Sequence, residues 1–176
     1  INLDPVESAI NTAINQGIVV IASAGNRHPN ESDVEFPARI EGVIAVGATD
    51  SKDRLASFSN HGNADSNECT ASLLIGSSGR CFPHQKPELL APGVGIHGAW
   101  ANGDIVSADG TSQAAPFVAG AVALLLEGHA PLQDRSDVYE LKEILALTTS
   151  HAPNNLHDDG HGYGLLDAYA ANQRYN

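Results

Sequence analysis

Gly110-Thr111-Ser112-Gln113-Ala114-Ala115-Pro116-Phe117-Val118-Ala119-Gly120 sets a serine at a glycine-led turn, ahead of an Ala- and Leu-rich run that continues to Leu126. Phe117 to Leu126 is too long for a typical strand and reads as a buried helix. Pro116 falls near its first turn, where a missing N–H costs least. The Ser112 hydroxyl then stands at a helix N-terminus, whose free N–H groups stabilise negative charge on a bound oxygen. On these residues alone, Ser112 is either a helix cap or a nucleophile.

Upstream, Pro5 to Gln16 carries Val6, Ala9, Ile10, Ala13 and Ile14 at helical spacing, with Asp4 as N-cap, Pro5 at the first position and Gly17 as the stop. Ile18-Val19-Val20-Ile21-Ala22 is a continuous β-branched run, expected to be a strand buried on both faces, as in a parallel sheet. Val43 to Ala48 and Leu89-Leu90-Ala91 read as further strands, and Ile105-Val106 as a brief extended segment. Asp137 to Leu147 and Leu165 to Gln173 read as helices. This order predicts an α/β layer fold with a mostly parallel sheet. Residues 1–176 show no repeat and no second domain.

Composition excludes several function classes. The net charge is −12, with 21 acidic residues against 9 basic ones. Such a chain is not built to neutralise phosphates, so no nucleic-acid partner is expected. The same charge disfavours anionic membranes, and no apolar run approaches the roughly 18–20 residues of a membrane helix. The chain contains no Met, so Ile1 is expected to follow a processing event or a truncation. Cys69 and Cys81 flank a polar, Gly- and Ser-rich stretch; they read either as a disulfide suited to a secreted protein or as two free thiols.

Residues 110–120 resemble the active-serine signature of the subtilisin (subtilase) family, Gly-Thr-Ser-x-Ala-x-Pro-x-Val-Ala-Gly. Gln113 stands where Met is usual and Phe117 where His is usual; neither is a catalytic position of the family. Ile18 to Asn26 resembles the family's oxyanion segment. By itself a Gly-Asn pair more often makes a turn, but here a buried strand ends in Ala24-Gly25-Asn26, and ligands bind at the carboxyl ends of strands in open α/β sheets. Asn26, rather than an Asp, favours subtilisins over the related sedolisins. Further matches follow in the family's order: Phe36-Pro37-Ala38-Arg39 with Val43 to Ala48, Phe58-Ser59-Asn60-His61-Gly62, Glu88 to Gly93, and Gly162 to Ala168. Residues 63–87, with the cysteines, look like an insertion.

The resemblance implies a three-layer subtilisin-like fold, of which this is the C-terminal portion, and a serine endopeptidase acting on peptide or protein substrates. Ser112 would form the acyl-enzyme and the Asn26 amide would bind the oxyanion. The family's Asp and His motifs are missing from residues 1–176. His61-Gly62 and His97-Gly98 are lookalikes inside other matched segments, and His28, His84, His129, His151 and His157 read as loop or surface residues. Serine is a weak nucleophile without a base, so the fragment alone is expected to be inactive, to need the missing N-terminal half of the domain, and to expose apolar edges without it. The alternative is a non-catalytic peptide-binding or scaffold pseudoprotease. An α/β-hydrolase esterase would carry Gly-x-Ser-x-Gly, which does not occur.

By the same resemblance Ala24, Gly25, Asn26 and Arg27 line one wall of the S1 pocket. Glu35, just before Phe36-Pro37, is expected near its base, where a carboxylate favours a basic P1 residue; the alternatives are that Arg27 pairs with it or that both are solvated loop charges. No metal or cofactor is required for the chemistry. Some subtilisins bind a weak cation through backbone carbonyls matching Ala38, Ile40 and Val43, so calcium is admitted, although no Asp/Glu spacing demands a calcium loop. Secretion is expected from the family and the cysteine pair; Asn30-Glu31-Ser32 is a glycosylation sequon, meaningful only in a eukaryotic secreted protein.

Overall fold

The computed structural model describes residues 4–30, 33–62, 85–151 and 157–176. Cys69, Cys81, His84, most of the expected insertion and two residues of the sequon lie outside the described residues.

Helix α1 spans Pro5–Asn15 and starts as the sequence predicts, with the Asp4 carboxylate accepting from the Val6 N–H at 2.8 Å. Its end explains a difference from expectation. The Gly17 N–H donates to Ile14 O and the Ile18 N–H to Ala13 O, with Gly17 at φ +77°. This paired closure consumes the Ile18 N–H in capping the helix. Strand β1 is therefore Ile21–Ser23 rather than a run beginning at Ile18.

Strands β2 (Ile44–Thr49) and β3 (Leu89–Pro92) complete a parallel sheet in the order β1-β2-β3, with Ile21 opposite Ile44 and Val46 opposite Leu89. All six residues of β2 are buried because both faces are covered. Ile44, Val46 and Ala48 pack under helix α2 (Thr111–Leu126), together with Leu141 and Leu145 of α3 (Arg135–Leu147) and Ala171 of α4 (Ala168–Tyr175). On the other face Ala45 meets Ala24, Val34 and Ala38, while Ile14 of α1 meets Val43 and Val138. Helix, sheet, and helix with loop make the three-layer α/β arrangement. Residues of β1 are only half-buried, because β1 is the sheet edge among the described residues.

Three further boundaries differ from the sequence reading. Helix α2 begins at Thr111, six residues before Phe117, so Pro116 is its sixth residue, beyond the first turn. The missing Pro116 N–H deprives the Ser112 carbonyl of its intrahelical partner. Helix α4 begins at Ala168, because Leu166 N–H donates to Leu90 O and Leu90 N–H to Gly164 O, tying that segment to β3. A hairpin of β4 (Ile96–Ala99) and β5 (Ile105–Ala108) carries Trp100 beside its turn; β4 lacks the alternation that would reveal it. Helix α2 buries Ala114, Val118, Ala121, Val122 and Leu125 but exposes Phe117 and Leu124, since only one of its faces meets the sheet.

Candidate active site

The site forms where the loop after β1 meets the start of α2. Ser112 is the second residue of α2 and is exposed. Its N–H is one of the first-turn donors that a helix leaves without an internal partner, at the positive end of the helix dipole. Gly110 stands just before the helix, its N–H donating to Gly93 O at 2.8 Å. A Cβ on Gly93 would meet the Gly110 carbonyl at 2.7 Å, so the Ala91-Pro92-Gly93 turn is shaped to let the two backbones touch.

Asn26 is brought to the same place. Its Oδ1 accepts from the Thr111 N–H at 2.8 Å and from the Thr111 hydroxyl at 2.9 Å. Because both partners donate, the atom facing them is the oxygen, and the Nδ2 amide is left directed elsewhere. Nδ2 lies 3.3 Å from where a Gly110 Cβ would sit, and the Ser112 nitrogen lies 3.7 Å from the same point. The carboxamide of residue 26 and the serine at 112 are therefore neighbours, as the sequence reading requires.

Two positioning residues were quoted in the sequence strings without a role. Thr111 is fully buried, and its hydroxyl accepts from the Gly25 N–H at 3.2 Å while donating to Asn26. It thus pins both ends of the Gly25-Asn26 step. Asn60 is also fully buried; its Oδ1 accepts from the Arg27 and His28 N–H groups and its Nδ2 donates to Asp33 O. The sequence signal for each was only its place inside a matched string; the burial that gives it a role comes from the fold.

The expected S1 residues cluster around this loop. Ala24 O accepts from the Glu35 N–H at 2.9 Å, and Glu35 packs against Gly25, its carboxyl carbon 2.9 Å from where a Gly25 Cβ would be. Arg27 does pair with Glu35, Nε to Oε1 at 3.1 Å. Both side chains are substantially exposed, so the pair is worth little to stability.

Five of the seven described histidines have ring or hydrogen-bond partners of their own. His28 and His61 stack at 4.0 Å, and burial with the neighbouring His28 charge holds His61 below its usual pKa. His129 bonds Asn176 and His161 bonds Asp158. His157 is not a surface residue: its Nε2 meets Pro87 O at 2.8 Å, and burial lowers its pKa. His97 on β4 and His151 are exposed. Among the described residues no group of three or more His, Cys, Asp or Glu is arranged to hold a metal ion, and no helix is long and apolar enough to cross a membrane.

Comparison with known proteins finds the same relationship. The family model described as the subtilase family matches residues 2–164. Subtilisin BL of Lederbergia lenta is 32% identical over 94% of this chain and 50% of its own length. Subtilisin DY of Bacillus licheniformis is 32% identical over 96% of this chain and 52% of its own length. The chain thus spans about half the length of the curated relatives it matches. Among solved structures, the prenylagaramide maturation protease PagA superposes with a TM-score of 0.72 at 29% identity, covering 97% of this chain and 55% of that one. A match running almost from end to end, through every segment that builds the Asn26–Thr111–Ser112 junction, makes this chain a member of the subtilase family.

Proposed function

We propose that the chain supplies the nucleophile and oxyanion donors of a serine endopeptidase. Ser112 Oγ attacks the carbonyl carbon of a peptide bond, and the bond from that carbon to the amide nitrogen breaks as the acyl-enzyme forms. The oxyanion accepts from the Ser112 N–H and from Asn26 Nδ2. The proton leaving Ser112 goes to a histidine base, oriented by an aspartate; the histidine passes it to the departing amine, and water then hydrolyses the acyl-enzyme and frees Ser112. The histidine and the aspartate belong to the half of the family domain that residues 1–176 do not span. The observation carrying this reading is the Asn26 Oδ1 contact to the Thr111 N–H at 2.8 Å, which fixes the carboxamide at the helix start and leaves Nδ2, near the Ser112 nitrogen, as its donor. The exposed apolar side of α2, with Phe117 and Leu124, and the edge of β1 supply a surface for the other half to cover. Extracytoplasmic action on peptide or protein substrates fits the secreted subtilisins that the chain resembles.

A fluorophosphonate probe on the full-length protein tests the assignment. Stoichiometric labelling at Ser112, read by intact mass and peptide mapping, is expected. A protein that stays unlabelled at Ser112 would instead be the non-catalytic scaffold of the alternative reading.

Specificity follows from Glu35. Its carboxylate lies against the Gly25 wall but is shared with Arg27, so the preference for a basic P1 residue is partly masked. Arg27→Ala is expected to raise the kcat/KM ratio of P1 Arg over P1 Leu substrates by about tenfold, the order of one freed charge-assisted hydrogen bond. An unchanged ratio would remove Glu35 from the S1 pocket.

A further inference from the structure

The carbonyl cradle that the family resemblance assigns to a weak cation already holds positive charge in this chain. Lys86 Nζ donates to Ile40 O at 3.0 Å and to Val43 O at 2.6 Å. Lys142 Nζ, arriving from α3, donates to Glu41 O at 2.8 Å and to Val43 O at 3.2 Å. Both ammonium groups meet Glu88 Oε1, at 2.8 and 2.5 Å, while Glu88 Oε2 accepts from the Ala45 N–H at 2.6 Å. The side chains of Lys86, Glu88 and Lys142 are 3%, 1% and 1% exposed.

These contacts test the fit of a metal ion and find against it. Calcium takes six to eight oxygens at roughly 2.3–2.6 Å. Here two of the expected cradle oxygens, Ile40 O and Val43 O, are spent on nitrogen, and the one carboxylate in contact is divided between two lysines. A divalent ion would add its charge beside two lysine side chains that already share the Glu88 carboxylate. Two carbonyl acceptors and a carboxylate oxygen within 3.0 Å of Lys86 Nζ are the surroundings that suit an ammonium group.

We propose that the Lys86 ammonium, seconded by Lys142, is the built-in cation of this cradle, so that the segment from Ala38 to Val43 is locked to the start of β3 without a metal ion. The lock ties together three parts of the fold: the turn before β2, the entry to β3 and α3. It does not depend on the assignment of Ser112, since the cluster packs at the opposite end of β2 from the Thr49–Gly93 contact that abuts Gly110.

Crystals of the full-length protein soaked in terbium(III), a calcium mimic with strong anomalous scattering, provide the test. No anomalous density is expected at the Ile40 and Val43 carbonyls of the native protein. Density there, with Lys86 displaced, would overturn the proposal. The same soak of Lys86→Ala is expected to put an ion on those carbonyls; a cradle that stays empty in the variant would show that the lysine had replaced nothing, and would equally overturn it. In solution, Lys86→Met keeps the length but removes the charge. It is expected to lower the unfolding midpoint in EDTA by about 10 °C, because breaking a buried ionic cluster is costly. A midpoint within 2 °C of the native value would remove the ammonium from its structural role; the native-protein soak decides even if the variant does not fold.

Discussion

Ser112→Ala in the full-length protein is expected to lower kcat on a peptide substrate by about 10⁶, the size of the loss when a subtilisin loses its nucleophile. The expectation rests on placement. Ser112 is exposed at the second position of α2, with its N–H unclaimed by the helix and the Asn26 carboxamide beside it. Alanine is compatible with the helix there and removes no buried contact, so the unfolding midpoint should move by less than about 2 °C. KM should change little, because the proposed S1 residues Ala24, Gly25, Asn26, Arg27 and Glu35 are untouched. The predicted pattern is therefore a collapse in kcat alone, with residual turnover from oxyanion binding and positioning. A variant retaining a tenth or more of native kcat would mean that the acyl group is carried elsewhere, and the reading of residues 110–120 would fail.

The parts legible in sequence were those governed by local rules. Asp4-Pro5 and Gly17 bracket α1 because capping chemistry depends on a few adjacent residues. The apolar run at 43–48 reads as a strand and is one, buried throughout, whereas the burial on both faces expected of 18–22 is not met, because β1 is half-buried at the sheet edge among the described residues. What was not legible depended on distant partners. The Ile18 N–H could have begun a strand, but Ala13 O had first claim on it. Leu165 and Leu166 have helical neighbours, yet they pair with Leu90 and delay α4. Helix α2 reaches back to Thr111 because Asn26, 85 residues upstream, accepts the Thr111 N–H that would otherwise be an orphan donor. The candidate site was half legible for the same reason. Ser112 and Asn26 are named by their strings, but the hydroxyl of Thr111 and the amide of Asn60, which aim the loop, are recognisable only once residues far apart in the chain meet. The Lys86–Glu88–Lys142 cluster was hidden altogether, since one lysine lies on α3 and the other enters β3.

Asn26 offers the second large effect, and its geometry lets donation be separated from positioning. Asn26→Ala should lower kcat about 10²–10³-fold with KM within threefold, the loss known for such a donor in a subtilisin. That variant also strips the Thr111 N–H of its acceptor, so part of the loss reflects a loosened helix start. Asn26→Asp does not: a carboxylate oxygen still accepts from the Thr111 N–H and hydroxyl, while the Nδ2 donor is replaced by an oxygen that repels the oxyanion. Its unfolding midpoint should therefore stay nearer the native value than that of the alanine variant, yet its kcat at neutral pH should fall at least as far. Thr111→Val supplies the converse. It leaves Nδ2 in place but orphans the buried Gly25 N–H and one lone pair of Asn26, so stability should drop by about 1–3 kcal/mol with a kcat loss of only about tenfold. If Asn26→Asp kept native kcat, the amide would have no part in holding the oxyanion, and its proximity to Ser112 would serve only to cap α2.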